Sequence, residues 1–390
     1  VTSPKSRFQR WRMDVNERVT RAAAALRAHG LDAAVLSSPH NVCYVSGYEV
    51  PIEAGPSAFA GGPDLALLDA DGHVTLIVPD LEAGAAAAGA QVDAIVSYAA
   101  FGYQERYDQA ANEWAELRRV LLESGITSGT LGVEPTFLPA SLDRAIREDF
   151  AAVRFADATP ALAGARLVKT AEEVARLRRA VDLTSVGQNA ARRHLTPGMT
   201  EIALFTRVRG AMEEAAGHRL AIAGDLVAGT DRTANAGGWP SDRTISEGSL
   251  VIVDLAPRLD GYWGDSCNSL CAGEPTAEFR RMIQATTEAL AKGIEAARPG
   301  LQAAELDAIC RRHVESYGYA YAHHSGHALG TTVHEDPRLV PYEPMPLQPG
   351  MVLALEPAAY IQGVGGVRTE HVILITETGA EVLSSFAHGF

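Results

Sequence analysis

Two aspartates, Asp254 and Asp265, flank Asp260-Gly261, the dipeptide that most strongly signals a tight hairpin. The β-branched apolar run Leu250–Val253 leads straight into Asp254, so the spacing predicts Asp254 at the end of one strand and Asp265 on the next. With a two-residue loop at 260–261, Leu259 faces Tyr262, position 254 lies opposite 267, and Asp265 becomes a diagonal neighbour of Asp254 on one face. Two carboxylates in so small a volume are costly unless one is protonated or a cation lies between them. The pair therefore asks for a metal or for an acid/base dyad. A second acidic pair follows: Met351–Leu355 ends in Glu356, and Gly366–Ile375 carries Arg368-Thr369-Glu370-His371. Between the pairs lie His323-His324-Ser325-Gly326-His327 and His334-Glu335, so that, with His371, five of the twelve histidines fall within residues 323–371. A histidine cluster beside four carboxylates on paired strand ends reads as a metal site.

The elements that must position these residues repeat. Pro197-Gly198 and Pro299-Gly300 each precede a Glu-rich helix; Gly248 and Gly350 each precede an apolar run, ending in Asp254 and Glu356. The pairs 197/299, 248/350 and 254/356 share an offset of 102 residues, which implies two copies of a helix-helix-strand-strand unit related by a pseudo-twofold axis. Asp254 and Glu356 are then equivalent, and Glu370 answers Asp265. Ahead of this lies an α/β segment without a cluster of reactive side chains. Its expected helices are Val15–His29, opened by Asp14 and Glu17 and stopped at Gly30, Leu81–Ala90, Gln104–Glu123 and Pro139–Phe150. Its expected strands are Ala33–Leu36, Val42–Val45, a hairpin of Leu65–Leu68 with Val74–Val78, Ala94–Tyr98 and Thr130–Val133. A boundary is expected within Ala158–Val168, dividing a domain 1–165 from a domain 166–390, just before Thr170 and Glu173 open a helix to about His194.

With 390 residues, 47% of them hydrophobic, the chain can bury two cores. A formal charge of -14 without a Lys/Arg cluster argues against nucleic acid and for a small soluble substrate. Val1–Arg12 is polar and basic, and Ala83–Ala90 is too short to span a bilayer, so the expectation is a cytoplasmic protein that does not engage a membrane. Cys43, Cys267, Cys271 and Cys310 have no zinc-like spacing and are expected as free thiols.

These residues resemble the pita-bread metallopeptidases: methionine aminopeptidase, aminopeptidase P and prolidase, with creatinase as a metal-free relative. The specific motifs span about Val168–Ser384, and the N-terminal part is similar to that of prolidases and creatinase. The resemblance implies an α/β N-terminal domain followed by an α+β pita-bread domain with internal duplication. It places the five metal ligands on Asp254, Asp265, His327, Glu356 and Glu370, with Asp265 and Glu370 bridging, Asp254 on one metal and His327 with Glu356 on the other. It assigns substrate contact and stabilisation of the tetrahedral intermediate to His323 and His334, matches Arg368 to an arginine two residues before the last ligand, and leaves the proton relay to Glu370 or Glu356. Relatives are commonly homodimers. Independently, four carboxylates and an imidazole make a hard, oxygen-rich donor set suited to manganese or another first-row divalent ion such as cobalt, zinc or iron. About two dications balance that charge, and two metals about 3.5–4 Å apart can activate water and polarise a carbonyl.

The sequence also departs from the family. Where relatives carry a histidine before the first Asp ligand, this chain has Gly237, in Asn235-Ala236-Gly237-Gly238-Trp239-Pro240. The family's arginine after the second Asp becomes Asn268, and its threonine becomes Cys267. Gly237 and Trp239 are thus candidate substrate-shaping residues, Trp239 as an apolar or cation-binding wall. Three functions compete. The first is a two-metal hydrolase of the Xaa-Pro aminopeptidase or dipeptidase type. The second is a specialised relative acting on a non-peptide C–N substrate, creatinase-like or a cyclic amidine hydrolase, or a lyase. The third is a non-catalytic binding protein, disfavoured because all five ligand positions are filled.

Overall fold

The computed structural model describes residues 17–52 and 61–389. Its chain separates into two units, Val1–Arg166 and Leu167–Phe390. Asp14 lies outside the described residues, and the first helix is seen over 17–28.

In the first unit, strand residues alternate between two buried faces, the pattern of a sheet covered on both sides. Ala34, Leu36, Ala66, Leu68, Leu76 and Val78 pack into one apolar cluster, while Ala33, Val35, Leu65, Leu67 and Ile77 pack into the other. The strands are β1 (Ala33–Leu36), β2 (Leu65–Asp69), β3 (Val74–Pro79), β4 (Ala94–Tyr98), β5 (Gly129–Val133) and β6 (Val153–Asp157), in the order β4-β3-β2-β1-β5-β6. β1–β2 and β2–β3 are antiparallel and the remaining neighbours parallel.

The structure corrects two local expectations here. Val42–Val45 is not a strand but part of the helix Pro39–Ser46, because Ser38 caps it and Pro39 stands at its start, where a missing N–H costs nothing. The buried Glu134 carboxylate secures that cap, accepting from the Ser37 and Ser38 amides at 2.6 and 2.9 Å. The helix expected from Gln104 begins only at Gln109, after the N-cap Asp108. The stretch Ala158–Val168, within which the two units divide, is largely the helix Thr159–Leu167, tied back by the Tyr44 hydroxyl on the Ala165 carbonyl (2.9 Å) and by Arg166 on Asn41 (2.9 Å).

The second unit carries the repeat. Helices Ala171–His194 and Glu201–Ala216 belong to the first half, and Ala277–Ala296 and Ala303–Ser316 to the second. The Thr170–Glu173 capping box is complete: the Glu173 amide donates to Oγ1 of Thr170 at 3.2 Å and the Thr170 amide to the Glu173 carboxylate at 2.9 Å. The 102-residue offset extends to single bonds. Gly198 N–H donates to Ile245 as Gly300 N–H does to Leu347, and isolated bridges join Thr200 to Thr244 and Gln302 to Pro346. The two cores match in the same way, with Leu204, Val208, Val251 and Val253 in one and Leu306, Cys310, Leu353 and Leu355 in the other.

Each half contributes a strand that ends on a carboxylate or directly before one, at Asp254 and Glu356. Leu250–Asp254 pairs antiparallel with Cys267–Cys271, placing Asp254 opposite Cys267. Leu259 pairs with Tyr262, and Asp260 and Gly261 both take positive φ (51° and 81°), as the two central residues of a type I′ turn require. In the second half Val352–Leu355 lies between Gly326–Ala328 and His371–Ile375. The run expected as one strand from Gly366 to Ile375 is two strands, Gly365–Arg368 and His371–Ile375, interrupted at Thr369-Glu370.

Candidate metal centre

Acidic side chains at strand ends escape the ladder and project into the space between the halves. Asp254 closes its strand, Asp265 precedes Cys267–Cys271, Glu356 follows Val352–Leu355, and Glu370 occupies the break before His371. The halves are stitched at this level: the Glu370 amide donates to the Cys267 carbonyl at 3.0 Å, and the Ser269 hydroxyl bridges the Arg368 carbonyl (3.0 Å) and amide (2.9 Å). His327 arrives on Gly326–Ala328, opposite Ala354. That approach needs glycine at 326, since a Cβ there would stand 2.0 Å from the Ala354 carbonyl oxygen.

The five positions meet through two groups: Asp254, Asp265 and Glu370 form one, Glu356 gathers with His323 and His324 in the other, and His327 lies between them. Asp254, Asp265 and Glu370 each place a carboxylate oxygen within 4.8 Å of the others. His327 Nε2 lies 3.7 Å from Asp265 Oδ2 and 3.4 Å from Glu356 Oε1. Its Nδ1 is 2.9 Å from the Ala328 carbonyl, which fixes the proton on Nδ1 and leaves the Nε2 lone pair facing the carboxylates. Glu370 Oε1 is buried with no hydrogen-bond partner, an acceptor suited to a cation. These donors fit divalent metals, with hard oxygens and one neutral imidazole around a common volume.

Burial drives the electrostatics. Desolvation pushes Asp254 up to about 6 against the opposing pull of Arg368. Asp265 and Glu370 rise well above the carboxylate range, first by desolvation and then by repulsion from neighbouring carboxylates, Asp254 foremost for Asp265 and Asp265 for Glu370. Burial would raise Glu356 as well, but the hydrogen bond from His324 and the other flanking histidines bring it below its ordinary value. Desolvation lowers His323 and His327 to about 4 and lowers His334, so these rings are neutral at pH 7.

A cavity of about 420 Å³ opens over this cluster and is lined by, among others, His323, His334, Arg368 and Gly237. His323 Nε2 lies 3.5 Å from Glu356 Oε2, and the His334 ring centroid is 4.4 Å from that of His327. The Arg368 guanidinium is buried, donating to the Ala236 carbonyl (2.6 Å) and the Tyr360 hydroxyl (2.8 Å) and pairing with Asp254. Trp239 requires a correction. It is 83% exposed and does not line the cavity, because its carbonyl is held by Arg232 (2.6 Å) and its side chain leaves toward solvent. Asn268 also stays outside the cavity lining, its amide bonded to the Ala387 carbonyl of the C-terminal tail at 3.1 Å.

Three residues of the site escaped sequence reasoning. His324 donates to Glu356 Oε1 at 2.9 Å, and its position directly beside His323 was the available signal. Asp225 lines the cavity 3.5 Å from Arg368, and Tyr360 holds the other side of that guanidinium. Neither belongs to a motif, and only the fold brings them in.

Residues 175–377 match the model of metallopeptidase family M24, and residues 18–168 match the creatinase/prolidase N-terminal domain. The chain belongs to metallopeptidase family M24. As an M24 protein it is a hydrolase, with the creatinase-type α/β domain ahead of a pita-bread domain. It is 30% identical to the Xaa-Pro dipeptidase of Pyrococcus furiosus over 372 residues, covering 95% of this chain and 98% of that one. Among solved structures, the prolidase of Pyrococcus horikoshii superposes with a TM-score of 0.80 at 27% identity, covering 96% and 99% of the two chains. The Xaa-Pro dipeptidase of Bacillus anthracis gives 0.81 at 25% identity with the same coverage. The M24 family implies divalent metal ions, and the donor set described above fits them.

Proposed function

We propose that this M24 protein is a two-metal hydrolase that cleaves the amide bond after the N-terminal residue of a small peptide, of the Xaa-Pro aminopeptidase or dipeptidase type. The observation that carries this reading is the convergence of Asp254, Asp265 and Glu370, joined to Glu356 through His327, whose lone pair is turned inward. Asp254, Asp265 and Glu370 hold one part of the dinuclear site, and His327 with Glu356 completes it. When bound, two divalent ions supply Lewis acidity toward a carbonyl and lower the pKa of water. His324 keeps Glu356 ionised and oriented. His334 donates to the oxygen that gains charge, His323 orients the substrate, and Glu356 or Glu370 carries the proton from water toward the leaving nitrogen. Arg368 is the buried counter-charge that keeps Asp254 ionised. Manganese suits the hard donors best, with cobalt, zinc or iron as alternatives. The enzyme acts as a homodimer in the cytoplasm; among the described residues no helix is long and apolar enough to cross a membrane.

The absent side chain at Gly237 favours a second reading, a specialised relative acting on a non-peptide C–N bond. One experiment separates the two: manganese-loaded protein assayed on dipeptides and tripeptides with and without proline. Cleavage confined to Xaa-Pro bonds supports the first. Two bound metals with no cleavage of any peptide supports the second.

A further inference from the structure

Gly237 and Asp225 compete for one volume. A Cβ built on Gly237 would stand 2.0 Å from Asp225 Oδ2 and 2.6 Å from its carboxyl carbon, so no side chain fits at 237 while Asp225 holds its place. Asp225 is firmly held. Its backbone exchanges two hydrogen bonds with Asp254 (3.1 and 2.8 Å), and its Oδ1 accepts from the Gly238 amide at 2.9 Å. Oδ2 has only a loose approach to Arg368 at 3.5 Å, and the side chain remains 29% exposed on the cavity.

The same volume therefore holds a carboxylate where the family's imidazole is expected. Arg368, the one guanidinium among the described residues that line the cavity, gives Nη1 to Ala236 and Tyr360 and turns Nη2 to Asp254 and, more loosely, to Asp225, while its Nε is buried without a hydrogen-bond partner, so its terminal donors are directed at groups of the protein. Five carboxylates line the cavity: Asp225, Asp254, Asp265, Glu356 and Glu370. Four of them belong to the proposed metal set, and Asp225 is the one in excess.

We propose that Asp225 is a specificity-determining residue that receives a positively charged group, an ammonium or amidinium, on the leaving side of the scissile bond. The enzyme then prefers substrates with a cation where an ordinary dipeptide carries its terminal carboxylate. This rests on the amide-hydrolase reading, and on the resemblance, which implies that the histidine replaced here by Gly237 stands on the leaving-group side of the active site. A charge-assisted hydrogen bond from such a cation replaces solvent at Oδ2, whereas a carboxylate placed there meets a like charge.

The test uses three amides that differ only in charge: alanyl-proline, alanyl-prolinamide and alanyl-2-(aminomethyl)pyrrolidine. The wild-type metal-loaded enzyme is expected to favour the cationic amide over the anionic one by roughly tenfold to a hundredfold in kcat/KM. Asp225→Asn, which keeps the shape and the Gly238 bond, should erase most of that preference. A wild-type preference for alanyl-proline overturns the proposal. So does an equal loss on all three amides, which would make Asp225 a brace for Arg368 or a contact for the substrate's N-terminal amine. A calorimetric titration keeps this independent of turnover: 2-(aminomethyl)pyrrolidine should bind at least about tenfold tighter than proline, and this margin should vanish in Asp225→Asn. If no amide is cleaved yet the margin is found, the amide-hydrolase reading fails and the role of Asp225 stands. Proline binding as tightly as the diamine sinks the role of Asp225.

Discussion

His324 Nε2 lies 2.9 Å from Glu356 Oε1, and the proton sits on that nitrogen because Nδ1 accepts from Arg338 Nε at 2.7 Å. The arrangement is a guanidinium, an imidazole and a carboxylate in series, holding Glu356 in one orientation beside His327. Second-layer contacts of this kind are typically worth 10- to 100-fold in metal affinity or activity. His324→Ser should therefore weaken metal binding by about that factor, read by competition with a chelating dye. His324→Gln, which can still donate to Glu356, should recover much of it. Unchanged affinity in the serine variant would remove His324 from the account.

Asp265 lies at the centre of the carboxylate cluster, and its folded-state pKa stands well above its ordinary value. The sign for such an acid is definite: in metal-free protein it disfavours the folded state as pH rises through and beyond the ordinary carboxylate range. Asp265→Asn should thus lower activity by more than about 100-fold and reduce metal content, while raising the Tm of the metal-free protein at pH 7.5 by about 2–4 °C. Calorimetry of metal-free and metal-loaded protein checks both halves. Stripping the metals from wild type with EDTA should lower Tm.

His334 lies beside His327 without belonging to the convergent donor set. On the role proposed for it, His334→Ala should lower kcat by about 10² with metal content near that of wild type. Parallel loss of metal would make it a ligand instead.

The C-terminal tail brings a pH dependence. Burial, reinforced by His371 at a ring distance of 4.4 Å, lowers His388 to about 3. A base depressed in this way is neutral when folded and protonated when unfolded between about 3 and 6.5, so its contribution to stability is present above pH 6.5 and lost as pH falls toward 3. Between pH 7.5 and 5, wild type should lose roughly 1–2 kcal/mol more than His388→Asn, measured by denaturant titration at each pH.

The hairpin at Asp260-Gly261, the repeat of 102 residues and the convergence of both carboxylate pairs are legible because each rests on a local rule: turn chemistry, strand alternation or exact repetition. Val42–Val45 reads as a strand in sequence because of its β-branched residues, a signal that Ser38, Pro39 and the distant Glu134 override. Asp225 gave no signal, since a single aspartate between Gly224 and Leu226 has neither periodicity nor motif, and its conflict with Gly237 exists only in three dimensions. Trp239 departs from its expected place for the opposite reason. Its chemistry suggested a wall, but the path of the backbone decides where a side chain goes, and here Arg232 holds the Trp239 carbonyl.

Neither half of the duplicated domain owns a full set of the convergent donors: Asp254 and Asp265 come from the first, and His327, Glu356 and Glu370 from the second. Bound metals would act as a clasp across the seam between two similar leaves. Releasing them through the cavity would leave the seam to hydrogen bonds such as those of Glu370 to Cys267 and of Ser269 to Arg368, so chelation should loosen the leaves against each other.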